Sequence, residues 1–112
     1  MVIFVDTSAV YALMDADDQN HERAREAWAE WLDGPVQFAT SNYVLLESIA
    51  LIQHRLGMQA TRQFQEELVP VLQVHWIPAE LHAIAIKMVL AVGQRDFSLV
   101  DCTNIVTTQP LW

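Results

Sequence analysis

Apolar and polar positions follow two periods along the chain, and the switches between them mark the elements. Val2-Ile3-Phe4-Val5 is an unbroken apolar run that stops at Asp6-Thr7-Ser8. It reads as a short strand buried on both faces, followed by side chains that can cap a helix. Ala9, Val10, Leu13 and Met14 then recur at helical spacing until the polar run Asp15-Ala16-Asp17-Asp18-Gln19. From a cap at Asn20, a second helix carries the stripe Ala24, Ala27, Trp28, Trp31 and Leu32, with Glu22, Arg23, Glu26 and Glu30 on its other faces. Gly34-Pro35 closes it.

Val36 to Ala39 predicts a second strand, and Thr40-Ser41-Asn42 offers caps for a helix that reaches Leu56 and stops at Gly57. A third amphipathic helix spans about Gln59 to Val69, with Phe64 and Leu68 inward and Pro70 weakening its end. Val74-His75-Trp76-Ile77 predicts the third strand. Pro78 opens a last helix whose stripe is Leu81, Ile84, Ala85, Met88 and Val92, ended by Gly93. Strands separated by helices in the order β-α-α-β-α-α-β-α define an α/β fold: a parallel sheet with helices on both faces, joined by right-handed crossovers.

Length and composition narrow the class. With 112 residues, 53% of them apolar, and three Gly, the chain is expected to form a single domain over residues 1–112. A net charge of −8 excludes binding of nucleic acid through a broad basic face, so any such contact is local or runs through a divalent metal. The lone Cys102, the absence of a basic leader and the absence of an apolar run near the ~18 residues of a membrane helix predict a cytoplasmic protein without a membrane segment.

Three acids stand out against this background. Asp6 lies where a buried strand gives way to a helix, the edge at which open α/β sheets hold ligands, although Asp is also a preferred N-cap. Glu47 lies in a helix apolar on most faces, with no Lys or Arg at i±3 or i±4; buried there, it needs either a cation or a hydrogen-bonding partner. Asp101 closes Ser98-x-x-Asp101, which has the form of a capping box with Asp in the Glu position. Each acid has a structural explanation; the set suggests chemistry. Converging carboxylates repel one another until protons or cations intervene, and oxygen ligands without Cys or His suit Mg²⁺ or Mn²⁺. Such a centre activates water and binds phosphate oxygens, as a phosphodiesterase requires. His21, His54, His75 and His82 read as solvated surface residues.

Val5-Asp6-Thr7-Ser8-Ala9, Ser41-Asn42-Tyr43-Val44-Leu45-Leu46-Glu47 and Phe97-Ser98-Leu99-Val100-Asp101-Cys102 resemble the first three acidic motifs of the PIN domain, in particular of VapC-type toxin ribonucleases. The resemblance runs from Met1 to about Val106 in the right order and spacing. It implies a three-layer sandwich and a metal-dependent endoribonuclease, with Asp6, Glu47 and Asp101 as catalytic ligands of Mg²⁺ or Mn²⁺. Asp96 becomes an accessory acid and Ser8 a neighbour of the site, while Arg55, Arg62 and Arg95 become candidates for RNA phosphate contacts. Implied partners are an RNA substrate, a cognate antitoxin protein and a second copy in a homodimer.

The family continues past its third motif to a fourth acid and further strands, which this sequence does not show; residues 107–112 depart from the pattern. The expectation is that the last strands are missing and that Val2 to Val5 forms an exposed sheet edge. A catalytically silent PIN-like module that only dimerises or binds an antitoxin is the alternative. An aspartyl-phosphate enzyme fits poorly, because the only Lys is Lys87, within a helix.

Overall fold

The computed structural model describes residues 1–93 of the chain. The elements are β1 (Val2–Phe4), α1 (Thr7–Met14), α2 (His21–Leu32), β2 (Gln37–Ser41), α3 (Asn42–Leu56), α4 (Met58–Gln63), β3 (Leu72–His75) and α5 (Ala79–Val92). All three strands are parallel in the order β1-β2-β3, with Ile3 opposite Phe38 and Phe38 opposite Leu72.

Because side chains alternate along a strand, Ile3, Val5, Phe38, Thr40, Leu72 and Val74 share one face. Phe38 collects the apolar stripe of α2 there. Its ring stacks on Trp28 with centroids 4.1 Å apart, and Trp31 lies 6.5 Å away at a steeper angle. Val10 from α1, Ile52 from α3 and Phe64 complete a core with Val5, Phe38 and Leu72. Phe38 and its neighbour Ala39 point to opposite faces, yet both are buried, so the middle of the sheet is covered on both sides, as the parallel arrangement requires.

Sequence and structure part at several joints. β1 is not buried on both faces at its start: Val2 is 60% exposed. Among the described residues, β1 pairs only with β2. The helix expected over 59–69 breaks into α4, a π turn at Phe64–Leu68 and a 3₁₀ turn at Val69–Val71. Pro70 has no N–H to continue the α ladder, and Val69 N–H reaches back to Phe64 O across the widened turn. β3 therefore begins two residues before the predicted strand, where Leu72 meets Phe38, and Trp76-Ile77 falls outside it.

Asn20 is not a cap. It makes no side-chain bond to α2; instead Asp15 Oδ1 and Asp18 Oδ1 accept from Asp17 N–H and Asn20 N–H in two tight turns. His21 Nδ1, 2.7 Å from Ala12 O, ties the start of α2 to α1, so this His is not simply solvated.

Ser41 does cap α3. Its buried Oγ accepts from Val44 N–H at 3.3 Å, and Gly57, at φ 90° where a side chain would be strained, turns the chain from α3 into α4. Ser41→Ala should cost about 1 kcal/mol in urea unfolding with an unchanged slope; a midpoint equal to the parent's would mean the cap contributes nothing.

Candidate active site at the carboxyl edge of the sheet

The first strand is clamped just before its acid. Val5 N–H donates to Ala39 O at 2.7 Å, and Thr40 Oγ1 donates to Val5 O at 2.8 Å, so both backbone groups of Val5 are fixed to β2. The next residue, Asp6, is extended (φ −96°, ψ 177°) and opens α1. Its Oδ1 accepts from Ala9 N–H and from Ser8 Oγ, both at 2.9 Å. The capping explanation is thus realised, but both bonds fall on one oxygen. Oδ2 has no protein partner among the described residues, and the side chain is exposed, so capping leaves half of the carboxylate open to a ligand.

Glu47 requires a correction. The sequence suggested a carboxylate buried in an apolar helix and in need of a partner; the structure places it in solvent. The core-facing line of α3 is Val44, Ser48 and Ile52, one residue per turn, and Glu47 lies to one side of it. The helix simply carries more apolar residues than the core covers: Leu46, next to Glu47, is 72% exposed. No burial penalty falls on the acid.

Ser8 is brought to Asp6 by the 2.9 Å bond. The Arg55 guanidinium lies 5.5 Å from the centroid of the Tyr11 ring, bridging the C-terminal part of α3 to α1. The Asp17 N–H, and after it the Tyr11 hydroxyl, hold the Asp15 carboxyl below its ordinary range; Tyr11 is raised in turn, chiefly by Asp15. A lowered carboxylate stabilises the fold above the pH at which Asp normally titrates, and that contribution is lost only as the solution becomes strongly acidic. Arg62 is exposed in the last turn of α4. Asp101, Asp96 and Arg95 lie outside the described residues.

The sequence missed several groups at this edge. Asn42, read as one of three caps, accepts from Ile77 N–H at 2.7 Å and so ties the start of α3 to the segment after β3. Tyr43 Oη is hydrogen-bonded to His82 Nδ1 of α5, and the rings meet edge-on, so His82 is also not a solvated surface residue. These partners are separated by 35 and 39 residues, and no local pattern announces them.

A cavity of about 400 Å³ lies between β1, α1 and α2, lined by Phe4, Ala9, Leu13, Ala27, Trp28 and Trp31 among others. Among the described residues no carboxylate lines it, and Arg23 is its one charged side chain.

Among the described residues no three His, Cys, Asp or Glu side chains come together. Two of the three expected ligands, Asp6 and Glu47, are described, and both present exposed carboxylates from elements that pack together, α1 and α3. Thr7 Oγ1 and Ser48 Oγ, from the residues that follow these acids, are buried without a hydrogen-bond partner among the described residues. Such orphans are uncommon. The hydroxyls are enclosed, Ser48 on the core-facing line of α3, so the oxygen donors available to a hard divalent cation are the exposed carboxylates.

Residues 3–109 match the PIN domain, and the chain belongs to that family. Within it, the chain is similar to the 23S rRNA-specific endonuclease VapC20 of Mycobacterium tuberculosis, recorded from two strains: 35% identical over 104 residues, or 92% of this chain and 77% of the relative. The crystal structure of Mycobacterium tuberculosis VapC20, described as a sarcin-ricin loop cleaving toxin, superposes with a TM-score of 0.82 at 32% identity, covering 96% of this chain and 80% of that one. The α/β architecture expected from the sequence is therefore the family's own. Among the described residues no helix is long and apolar enough to cross a membrane.

Proposed function

We propose that this chain is a metal-dependent endoribonuclease of the toxin type, holding Mg²⁺ or Mn²⁺ through Asp6, Glu47 and Asp101. The observation that carries the reading is Asp6 itself: an exposed carboxylate at the carboxyl end of a parallel strand, with one oxygen anchored and the other without a partner among the described residues, in a PIN-family chain. The cation, when bound, lowers the pKa of an attacking water and stabilises charge on the phosphate and the leaving oxygen.

The chain's own residues do the rest. Ser8 and the Ala9 N–H fix the rotamer of Asp6, and the clamp on Val5 fixes its backbone, so the ligand is held before metal arrives. Asp96 serves as accessory acid, and Arg55, Arg62 and Arg95 supply the few local cations that can meet phosphates in an acidic protein. The similarity to a 23S rRNA endonuclease supports structured ribosomal RNA as the substrate. A cognate antitoxin, a homodimer and a cytoplasmic setting belong to the same reading.

The purified chain should cut 23S rRNA to a discrete fragment in Mg²⁺ or Mn²⁺ and leave it intact in excess EDTA. Cutting that persists in EDTA would overturn the metal assignment. Binding of Mn²⁺ without cleavage of any RNA would establish the silent, partner-binding module instead.

A further inference from the structure

We propose that Trp76 is a stacking platform for an unpaired RNA base beside the cleavage site; the inference rests on the endonuclease reading above. Trp76 directly follows β3, and because the sheet is parallel, the ends of β1, β2 and β3 lie on one edge. That edge carries Asp6 after β1, Asn42 and Tyr43 after β2, and Trp76 after β3. Adjacent strands lie about 4.8 Å apart, so the ends of β1 and β3 are separated by roughly 10 Å, within the span of a short oligonucleotide.

Exposure singles this residue out. Trp28 and Trp31 are engaged with Phe38, whereas Trp76 is 74% exposed, and among the described residues no other aromatic side chain joins it in the group of largely exposed apolar residues. A large aromatic surface left in water contributes nothing to the core. It is also held in place: Ile77 N–H is bonded to Asn42 Oδ1 at 2.7 Å, and Pro78 restricts the backbone of Ile77. An aromatic ring on a pinned segment loses little freedom when a ligand covers it.

Charge explains why such a platform is needed. With 14 acidic side chains against six basic ones, the chain cannot collect RNA mainly by releasing counterions from phosphates. Stacking of a base on an aromatic face is insensitive to that deficit and tolerates any base. RNA loops, whose bases can be splayed out, are where it operates. The combination points to a looped or single-stranded element seated with one base on Trp76 and its backbone toward Asp6.

The test compares the parent, Trp76→Ala and Trp76→Phe for binding of a labelled single-stranded oligoribonucleotide and of a fully paired RNA duplex, by fluorescence anisotropy in EDTA, where no cleavage intervenes. Trp76→Ala should raise the Kd for the single strand about tenfold or more, leave duplex binding unchanged, and keep the slope of affinity against salt. Trp76→Phe should retain most of the affinity. Equal single-strand affinity of the parent and Trp76→Ala overturns the proposal while leaving the endonuclease reading intact, as does an equal loss on single strand and duplex. A concentration-dependent self-association that Trp76→Ala abolishes, with RNA affinity unchanged, assigns the residue to a protein interface and also overturns it. A parent that neither binds nor cuts any RNA overturns both readings.

Discussion

Asp6→Asn should lower RNA cleavage by about 10²- to 10³-fold while leaving the melting temperature of the metal-free protein nearly unchanged. The two halves of this expectation come from the two oxygens. Oδ1 accepts from Ala9 N–H and Ser8 Oγ, and an amide oxygen can do the same, so Asn remains a good cap at this position. The proposed cation, in contrast, loses an anionic ligand. Its stabilisation of the transition state is worth several kcal/mol, and each ~1.4 kcal/mol is a factor of ten in rate. Asp6→Ala removes both functions and should therefore also unfold more readily, by about 1 kcal/mol. Single-turnover cleavage and thermal melts in EDTA on the three proteins separate the roles. If Asp6→Asn cleaves like the parent, Asp6 is only a cap.

The contrast between Asp6 and Glu47 shows which features of the candidate site were legible in the sequence. Asp6 was readable because a buried strand and a helix start are both local patterns, and they meet at that residue. The order of strands and helices was readable for the same reason, through the switch between a period of two and a period of 3.6. The burial of Glu47 was misjudged because α3 carries apolar residues around most of its circumference, so periodicity does not show which of them the core takes. Val44 and Ile52 are fully buried, while Leu46, equally apolar, stays in solvent. Tertiary packing made that choice.

The remaining groups at the edge depend on topology. Thr40 looked like a cap, but its hydroxyl reaches Val5 O across the sheet. Asn42 and Tyr43 likewise take partners from the segment after β3 and from α5. Only once β1, β2 and β3 lie side by side do these residues become neighbours. The early start of β3 belongs to the same class of misreading, since Leu72 joins the sheet because Phe38 is there to pair with it. Trp76 was counted as a strand residue and is instead an exposed ring beyond the strand end.

Glu47→Gln should abolish most of the metal-dependent activity without stabilising the metal-free fold. Had the carboxylate been buried among apolar residues, removing its charge would have raised stability by relieving a desolvation cost. Its exposure on α3 removes that term, and an exposed substitution that keeps size and shape changes stability by no more than about 0.5 kcal/mol. The effect should appear only when metal is added. A cation that binds the folded chain and not the unfolded one stabilises it by about 2.7 kcal/mol at 100 times its Kd. The parent should show a gain of this kind on titration with Mn²⁺, and Glu47→Gln should require a much higher concentration to reach it. Melting curves over a Mn²⁺ series, run beside cleavage assays, test both statements together. An equal Mn²⁺ response in the two proteins would remove Glu47 from the ligand set. A clear loss of stability in EDTA would assign it a structural partner, and Asp6 would then have to bind the cation with other acids.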